Sequence, residues 1–229
     1  MSDGLVWLCA TLAAYQFGIW LQRRTRQRWI HPVLVAVALL VAALEVSGVE
    51  VDRYDAGGDL VGFFLGPSVV ALGVALHLQL PAILRRGRSL VLALCAGGAV
   101  GVAASAGVAW LLGAPREIVA SVAPKSVTTP IAIAVAGQNG GIPAIAAVLV
   151  IAVGVLGAVA GPPFLDAIGV RDPAARGLAL GSAAHGLGTA RAMEEGEAQG
   201  ASAALAIGLQ GVVTALLTPL ALWLLDLLS

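Results

Sequence analysis

Charge is scarce in this sequence. Only 11% of its 229 residues are charged, roughly half the share a soluble domain carries. The formal net charge is zero and no basic tract exists, so a nucleic-acid surface has no support. Aromatic residues are scarce at 5%. The two cysteines, Cys9 and Cys95, both lie in apolar runs and are expected to be buried thiols acting as small hydrophobes. There is no His/Cys/Glu set at metal-ligand spacing, no GxSxG elbow, and no glycine-rich stretch ending in Gly-Lys followed by Ser or Thr. An enzyme is therefore not indicated, and no cofactor or metal is expected. A cleavable signal peptide is not expected either, because the first apolar stretch follows the acidic start MSDG and lacks a small-residue cleavage site. Lys125 is the only lysine.

What is present is apolar and small. Apolar residues make up 59% of the chain, with 29 glycines, and the mean hydropathy is +0.94. Glycine at helix interfaces lets membrane helices approach closely. Eight apolar segments, at about 5–22, 31–48, 60–81, 89–113, 117–137, 142–164, 174–193 and 200–227, each come near the roughly 20 residues needed to cross a hydrocarbon core. The fold expected is all-α: a polytopic integral membrane protein forming one domain over residues 1–229. The first, second, fourth, sixth and eighth segments read as ordinary spans. The third, fifth and seventh are interrupted by Gly or Pro and carry polar residues, so broken or re-entrant helices are expected there.

Charge placement gives an orientation. Arg23, Arg24, Arg26 and Arg28 follow the first span, and Arg85, Arg86 and Arg88 follow the third. If every segment crosses, both loops are cytoplasmic and the N-terminus is outside. Beyond the fourth span the count conflicts: Arg171 and Arg176 would lie outside and Glu194, Glu195 and Glu197 inside, as a half-crossing segment would cause. An internal echo at an offset of 57 residues pairs Pro67, Val70, Ala75 and Gly97 with Pro124, Val127, Ala132 and Gly154. The seventh and eighth segments could be a further copy of this broken-helix-plus-span unit. Repeats that place broken helices around a midplane site are typical of secondary transporters.

Lys125 lies between Pro124 and Pro130 in PKSVTTPIA, deep in apolar sequence. A charge at a helix centre in the bilayer costs from a few to more than ten kcal/mol, so it persists where it faces a cavity, a partner or a substrate. The prolines forbid an unbroken helix, and Ser126, Thr128 and Thr129 supply hydroxyls beside the freed backbone. Snorkelling is the alternative for the lysine, and bonds to preceding carbonyls for the hydroxyls. Asn139, in GQNGG, belongs to a solvated turn or to the mouth of a site. In GSAAHGLGTARAMEE, a helix would place Ser182, His185 and Thr189 on one face, with Gly186 allowing close approach of a ligand or backbone. His185 could bind a carboxylate or carry a proton, or could be a packed structural residue. Arg191 suits bidentate carboxylate recognition, yet Glu194 and Glu195 stand at helix-pair spacing from it. The two stretches are expected to converge, so that Lys125, Ser126, Thr128 and Thr129 meet His185, Gly186 and Thr189. His31 and His77 have no evident partner.

These same residues carry a resemblance. PKSVTTPIA, the following GGIPA, and RGLALGSAAHGLGTARAMEEGE are similar to the LrgB/CidB family of polytopic membrane proteins. The likeness continues through Tyr15, HPVLVAVALL and YDAGGDLVGFFLGPSVVALGVAL, nearly the whole chain. One departure is that Val74, Ala75, Leu76 and His77 stand where a Pro-Leu-Tyr-like sequence is expected. The resemblance implies two functions. Bacterial members are named as antiholin-like or holin-associated proteins that modulate murein hydrolase activity and lysis. A plant chloroplast relative is a glycolate/glycerate transporter, and bacterial relatives are linked to pyruvate uptake. It further implies a cell-membrane location and a partner of the LrgA/CidA type; a homo-oligomer is also expected. Interrupted helices with a buried lysine, histidine and arginine favour a carrier of small carboxylates over a pore that needs only lipid-stable helices.

Overall fold

The computed structural model describes residues 2–27, 30–63, 67, 70, 74 and 88–228, and helix is the only regular structure among them. The chain divides into two compact units, Met1–Ser68 and Val69–Ser229. The first holds α1 (Ser2–Thr25), α2 (Pro32–Ser47) and α3 (Val51–Gly62). Helix α1 packs against both others. A β-carbon at Gly18 would lie 2.6 Å from the Pro32 carbonyl oxygen, and one at Gly57 would lie 2.6 Å from that of Gly4. Trp7 meets Tyr54 edge to face at 5.8 Å. His31 turns out to be a helix cap: its Nδ1 accepts the Val33 N–H at 3.3 Å, just ahead of Pro32 in the first turn of α2.

The second unit holds α4 (Arg88–Leu111), α5 (Arg116–Val122), α6 (Thr129–Gln138), α7 (Pro143–Ala167), α8 (Pro173–Glu195) and α9 (Glu197–Asp226). Among the described residues, four helices are long and apolar enough to cross a membrane: α1 over Gly4–Thr25, α4, α7 and α9. Large apolar side chains such as Leu92, Val100, Val148, Leu156 and Leu216 stand exposed along the last three, a surface suited to lipid and not to water. The protein is all-α and polytopic. Cys9 and Cys95 are exposed rather than buried; a helix in lipid is apolar on its outer face too, so an apolar run does not imply a protein core.

The eight expected spans are thus not eight. The second, α2, is an apolar helix of only 16 residues and is not among the four. Residues 60–81, the third segment, fall mostly outside the described residues, as do His77, Ala75 and the arginines at 85 and 86. The fifth and seventh segments do not cross. Arg176 and Glu195 lie at opposite ends of α8, which in an unbroken helix would separate them by about 28 Å at 1.5 Å per residue. Their side chains are instead 3.1 Å apart. The helix is folded back on itself at Ala184 (φ −126°, ψ 17°) and His185 (φ 42°, ψ −128°). Its halves pack together, with Leu180 and Ala192 in one buried cluster with Leu165 and Ala203. Gly188 passes so close to the Leu180 carbonyl that no β-carbon fits.

Helices α5 and α6 do the same. Arg116 Nη1 donates to the Asn139 carbonyl at 2.9 Å, closing a hairpin whose tip is the non-helical run 123–128. Buried Ser121 pins the next helix to it, its Oγ accepting the Ile142 N–H at 2.7 Å. The mouth of this first hairpin adjoins the far end of α9, through the 2.9 Å Arg116–Asp226 ion pair. The mouth of the second adjoins the far end of α7, through Arg176–Asp166 at 2.6 Å. Because α7 leads from one mouth to the other, the hairpins enter the bundle from opposite ends. A hairpin followed by a span therefore occurs twice in inverted sense. Arg171 and Arg176 come to the same end of the second unit as Glu194, Glu195 and Glu197. The offset-57 echo is not matched in environment: Gly97 borders open space, whereas Gly154 meets the His185 ring.

Candidate functional site

Both hairpin tips reach the middle of the spans. Helix α5 runs back along α4, burying Val119, Ala120 and Ala123 against Val102 and Ala106. The Ser105 hydroxyl donates to the Ala123 carbonyl at 3.3 Å. This carries Lys125 to Gly101, whose carbonyl accepts from Nζ at 3.2 Å. Gly101 lies about 15 Å along α4 from Leu111, half the thickness of a hydrocarbon core. Lys125 is half-buried, and among the described residues no carboxylate pairs with it. An ammonium has three donors; the Gly101 carbonyl takes one. Ser126, Thr128 and Thr129 are also half-buried, and their hydroxyls make no hydrogen bond to another described residue. Thr128 is the N-cap residue of α6 without a side-chain cap bond.

The second tip is His185. Its first half-helix runs back along α7, made possible by small residues there. A β-carbon at Gly154 would lie 2.6 Å from His185 Cε1 and Nε2, and one at Gly161 would lie 2.6 Å from Leu180 Cδ2. His185 Nε2 is 2.9 Å from the Val150 carbonyl oxygen. A φ of 42° is uncommon for a residue with a β-carbon, and such geometry persists where the surroundings over-determine it. Thr189 donates to the His185 carbonyl at 2.8 Å. Ser182 bonds instead to Ala179 at 3.2 Å; the break at 184–185 removes the single helical face that Ser182, His185 and Thr189 were expected to share. Gly186 is exposed beside open space.

Val150 joins the two tips. Its side chain packs in one buried cluster with Val127 of the first tip, and its carbonyl meets His185 of the second. Asn139 and Arg191 are placed elsewhere, at the two mouths. Asn139 Nδ2 donates to the Val135 carbonyl at 2.7 Å, and Arg191 pairs with Glu194 at 2.7 Å and Glu195 at 3.4 Å. Among the described residues, no three of His, Cys, Asp and Glu are grouped to hold a metal.

The eighth segment is a helix long and apolar enough to cross, as its hydropathy suggested, and it also carries a buried polar row. Gln210, Thr214 and Thr218 recur every fourth residue inside α9 and are almost fully buried. Gln210 Nε2 bonds Thr214 Oγ1 at 3.3 Å, and Thr218 donates to the Thr214 carbonyl at 2.8 Å. A polar residue repeating at i, i+4 and i+8 in an apolar run was the available signal.

Comparison with known proteins covers nearly the whole chain. Residues 11–224 match the LrgB-like family. An uncharacterized protein of Bacillus subtilis, YxaC, is 34% identical over 96% of each chain. An uncharacterized protein of Haemophilus influenzae is 34% identical over 89% of this chain and 90% of its own. The antiholin-like protein LrgB of Bacillus mycoides is 32% identical over 93% of each. No solved structure matches. With that match covering nearly all of its length, the chain belongs to the LrgB-like family.

Proposed function

We propose that the protein is a multi-pass carrier of the cell membrane that moves small monocarboxylates or hydroxy-acids of the glycolate, glycerate or pyruvate type. In this reading transport is proton-linked through His185, and the protein works as a homo-oligomer with an LrgA/CidA-type partner. The observation that supports it is the state of Lys125. A half-buried ammonium with one carbonyl partner and no described carboxylate is poorly compensated, and a small anion supplies the missing charge. The unbonded hydroxyls of Ser126, Thr128 and Thr129 can donate to the same carboxylate, and open space beside Gly186 lies at the opposing tip. Inverted hairpins that meet within the bundle give a site that can open to either face by rocking one repeat against the other.

The test is uptake of radiolabelled glycolate or pyruvate by the purified protein in liposomes, with and without the product of a neighbouring LrgA/CidA-type gene. Lys125→Met should lower uptake at least about 100-fold while the protein still inserts and folds, since removing one partner of a desolvated charge pair loses several kcal/mol. Lys125→Arg should keep part of it, because a planar fork does not replace a point charge. Full uptake by the methionine variant would make Lys125 a snorkelling anchor. The second reading rests on the antiholin-like name that relatives carry: modulation of murein hydrolase activity and lysis. It gains if the wild type moves no carboxylate in either assay while deletion of the gene alters autolysis.

A further inference from the structure

Gln210 is 2% exposed, at the middle of α9. Its Oε1 is the only buried side-chain polar atom among the described residues without a hydrogen-bond partner. Oxygen and nitrogen of an amide are interchangeable by a flip, but the conclusion survives one. Either amide atom can bond the Thr214 hydroxyl, and whichever does leaves the other unpartnered. Buried polar groups are nearly always satisfied, so an orphan at this depth asks for a partner that the described residues do not supply.

Its position says which partner. A β-carbon at Gly98 would lie 2.8 Å from Gln210 Nε2, and one at Gly101 would lie 3.6 Å from Ser126 Oγ. Positions three apart on a helix face the same way, with β-carbons roughly 5–6 Å apart. The amide and the Ser126 hydroxyl are therefore separated by no more than about 12 Å along one strip of α4, and Lys125 Nζ bonds the Gly101 carbonyl on that strip. The neighbouring Gly211 abuts Ile131 of the first hairpin, so α9 presents Gln210 where α4 and that hairpin meet.

We propose that Gln210 is a ligand-binding residue of the Lys125 site, which recognises a hydroxyl or carbonyl oxygen on the carbon next to the carboxylate. The proposal rests on the carboxylate-carrier reading. Lys125 takes the carboxylate, and the amide, able to donate or accept, takes the adjacent oxygen. An acid with only hydrogens on that carbon leaves the amide unpaired and binds less well. Sites built to hydrogen-bond a substituent discriminate strongly against the analogue that lacks it.

The experiment is competition by unlabelled glycolate and unlabelled acetate against radiolabelled glycolate uptake into proteoliposomes. Wild type should favour glycolate at least about tenfold. In Gln210→Met, a replacement of similar length, the ratio of the two inhibition constants should fall towards one because glycolate weakens while acetate does not. Ligand-induced shifts in melting temperature in detergent give a second readout: acetate should stabilise both proteins equally, and glycolate should lose its extra shift only in the variant. An unchanged ratio and an unchanged glycolate shift in Gln210→Met would overturn the assignment and leave the carrier reading standing. Absence of uptake by the wild type would overturn both.

Discussion

A double-mutant cycle on Arg176 and Glu195 tests the re-entrant hairpin directly. The guanidinium and carboxylate are 3.1 Å apart, with side chains 11% and 15% exposed. Each single change, Arg176→Met or Glu195→Gln, should destabilise the protein by about 1–3 kcal/mol, below the 3–5 kcal/mol of a fully buried pair because water reaches the mouth. Asp166, 68% exposed, adds little. Arg191 at 3.4 Å from Glu195 retains part of the carboxylate's compensation when Arg176 is lost. A coupling energy of about 1–2 kcal/mol is expected, a factor of roughly 5–30 in the unfolding equilibrium. In an unbroken helix the two residues would be about 28 Å apart, and changes at that distance add to within about 0.5 kcal/mol. Reversible unfolding of the four proteins in mixed micelles measures the difference. Additivity within that margin would mean that α8 is not folded back, and the opposed-hairpin arrangement would go with it.

Two glycines separated by one residue should behave oppositely. Gly188→Ala meets the Leu180 carbonyl and the Ala184 side chain and should destabilise by about 1–3 kcal/mol, whereas Gly186→Ala points into open space and should leave stability unchanged or raise it by up to about 1 kcal/mol; equal losses in thermal unfolding would contradict the packing of the hairpin. Uptake should rise with an inward proton gradient and lose that dependence in His185→Gln. Continued uptake after a protonophore collapses the gradient, with the membrane potential clamped, would reduce His185 to a hydrogen-bonding or packing residue.

Much of the secondary structure was legible because it depends on short stretches of chain. Runs of apolar residues mark α1, α4, α7 and α9, since lipid demands such runs and a helix satisfies its own backbone. The breaks were legible too. Pro124 and Pro130 interrupt the fifth segment, and glycines crowd the seventh around His185, so the two tips coincide with the stretches singled out for chemistry. Their polar side chains are conspicuous because the surrounding sequence is so apolar.

Hydropathy could not say whether a broken segment crosses the membrane or returns, because a hairpin and a span can have the same composition. That was decided by contacts between distant residues: Arg116 with Asn139, Arg176 with Glu195. The tertiary structure also sorted the polar residues. Arg191 and Asn139 find partners within their own hairpins, while Lys125 Nζ meets, among the described residues, the Gly101 carbonyl alone. Gln210 sits in a segment whose mean hydropathy reads as a plain span, and only the packing of α9 against Gly98 leaves one of its polar atoms without a partner among the described residues. The sequence by itself determined where helices form and where they break, because those follow from local sterics and hydropathy. Which breaks become hairpins, and which buried polar groups find no partner among the described residues, follows from long-range packing that no local pattern encodes.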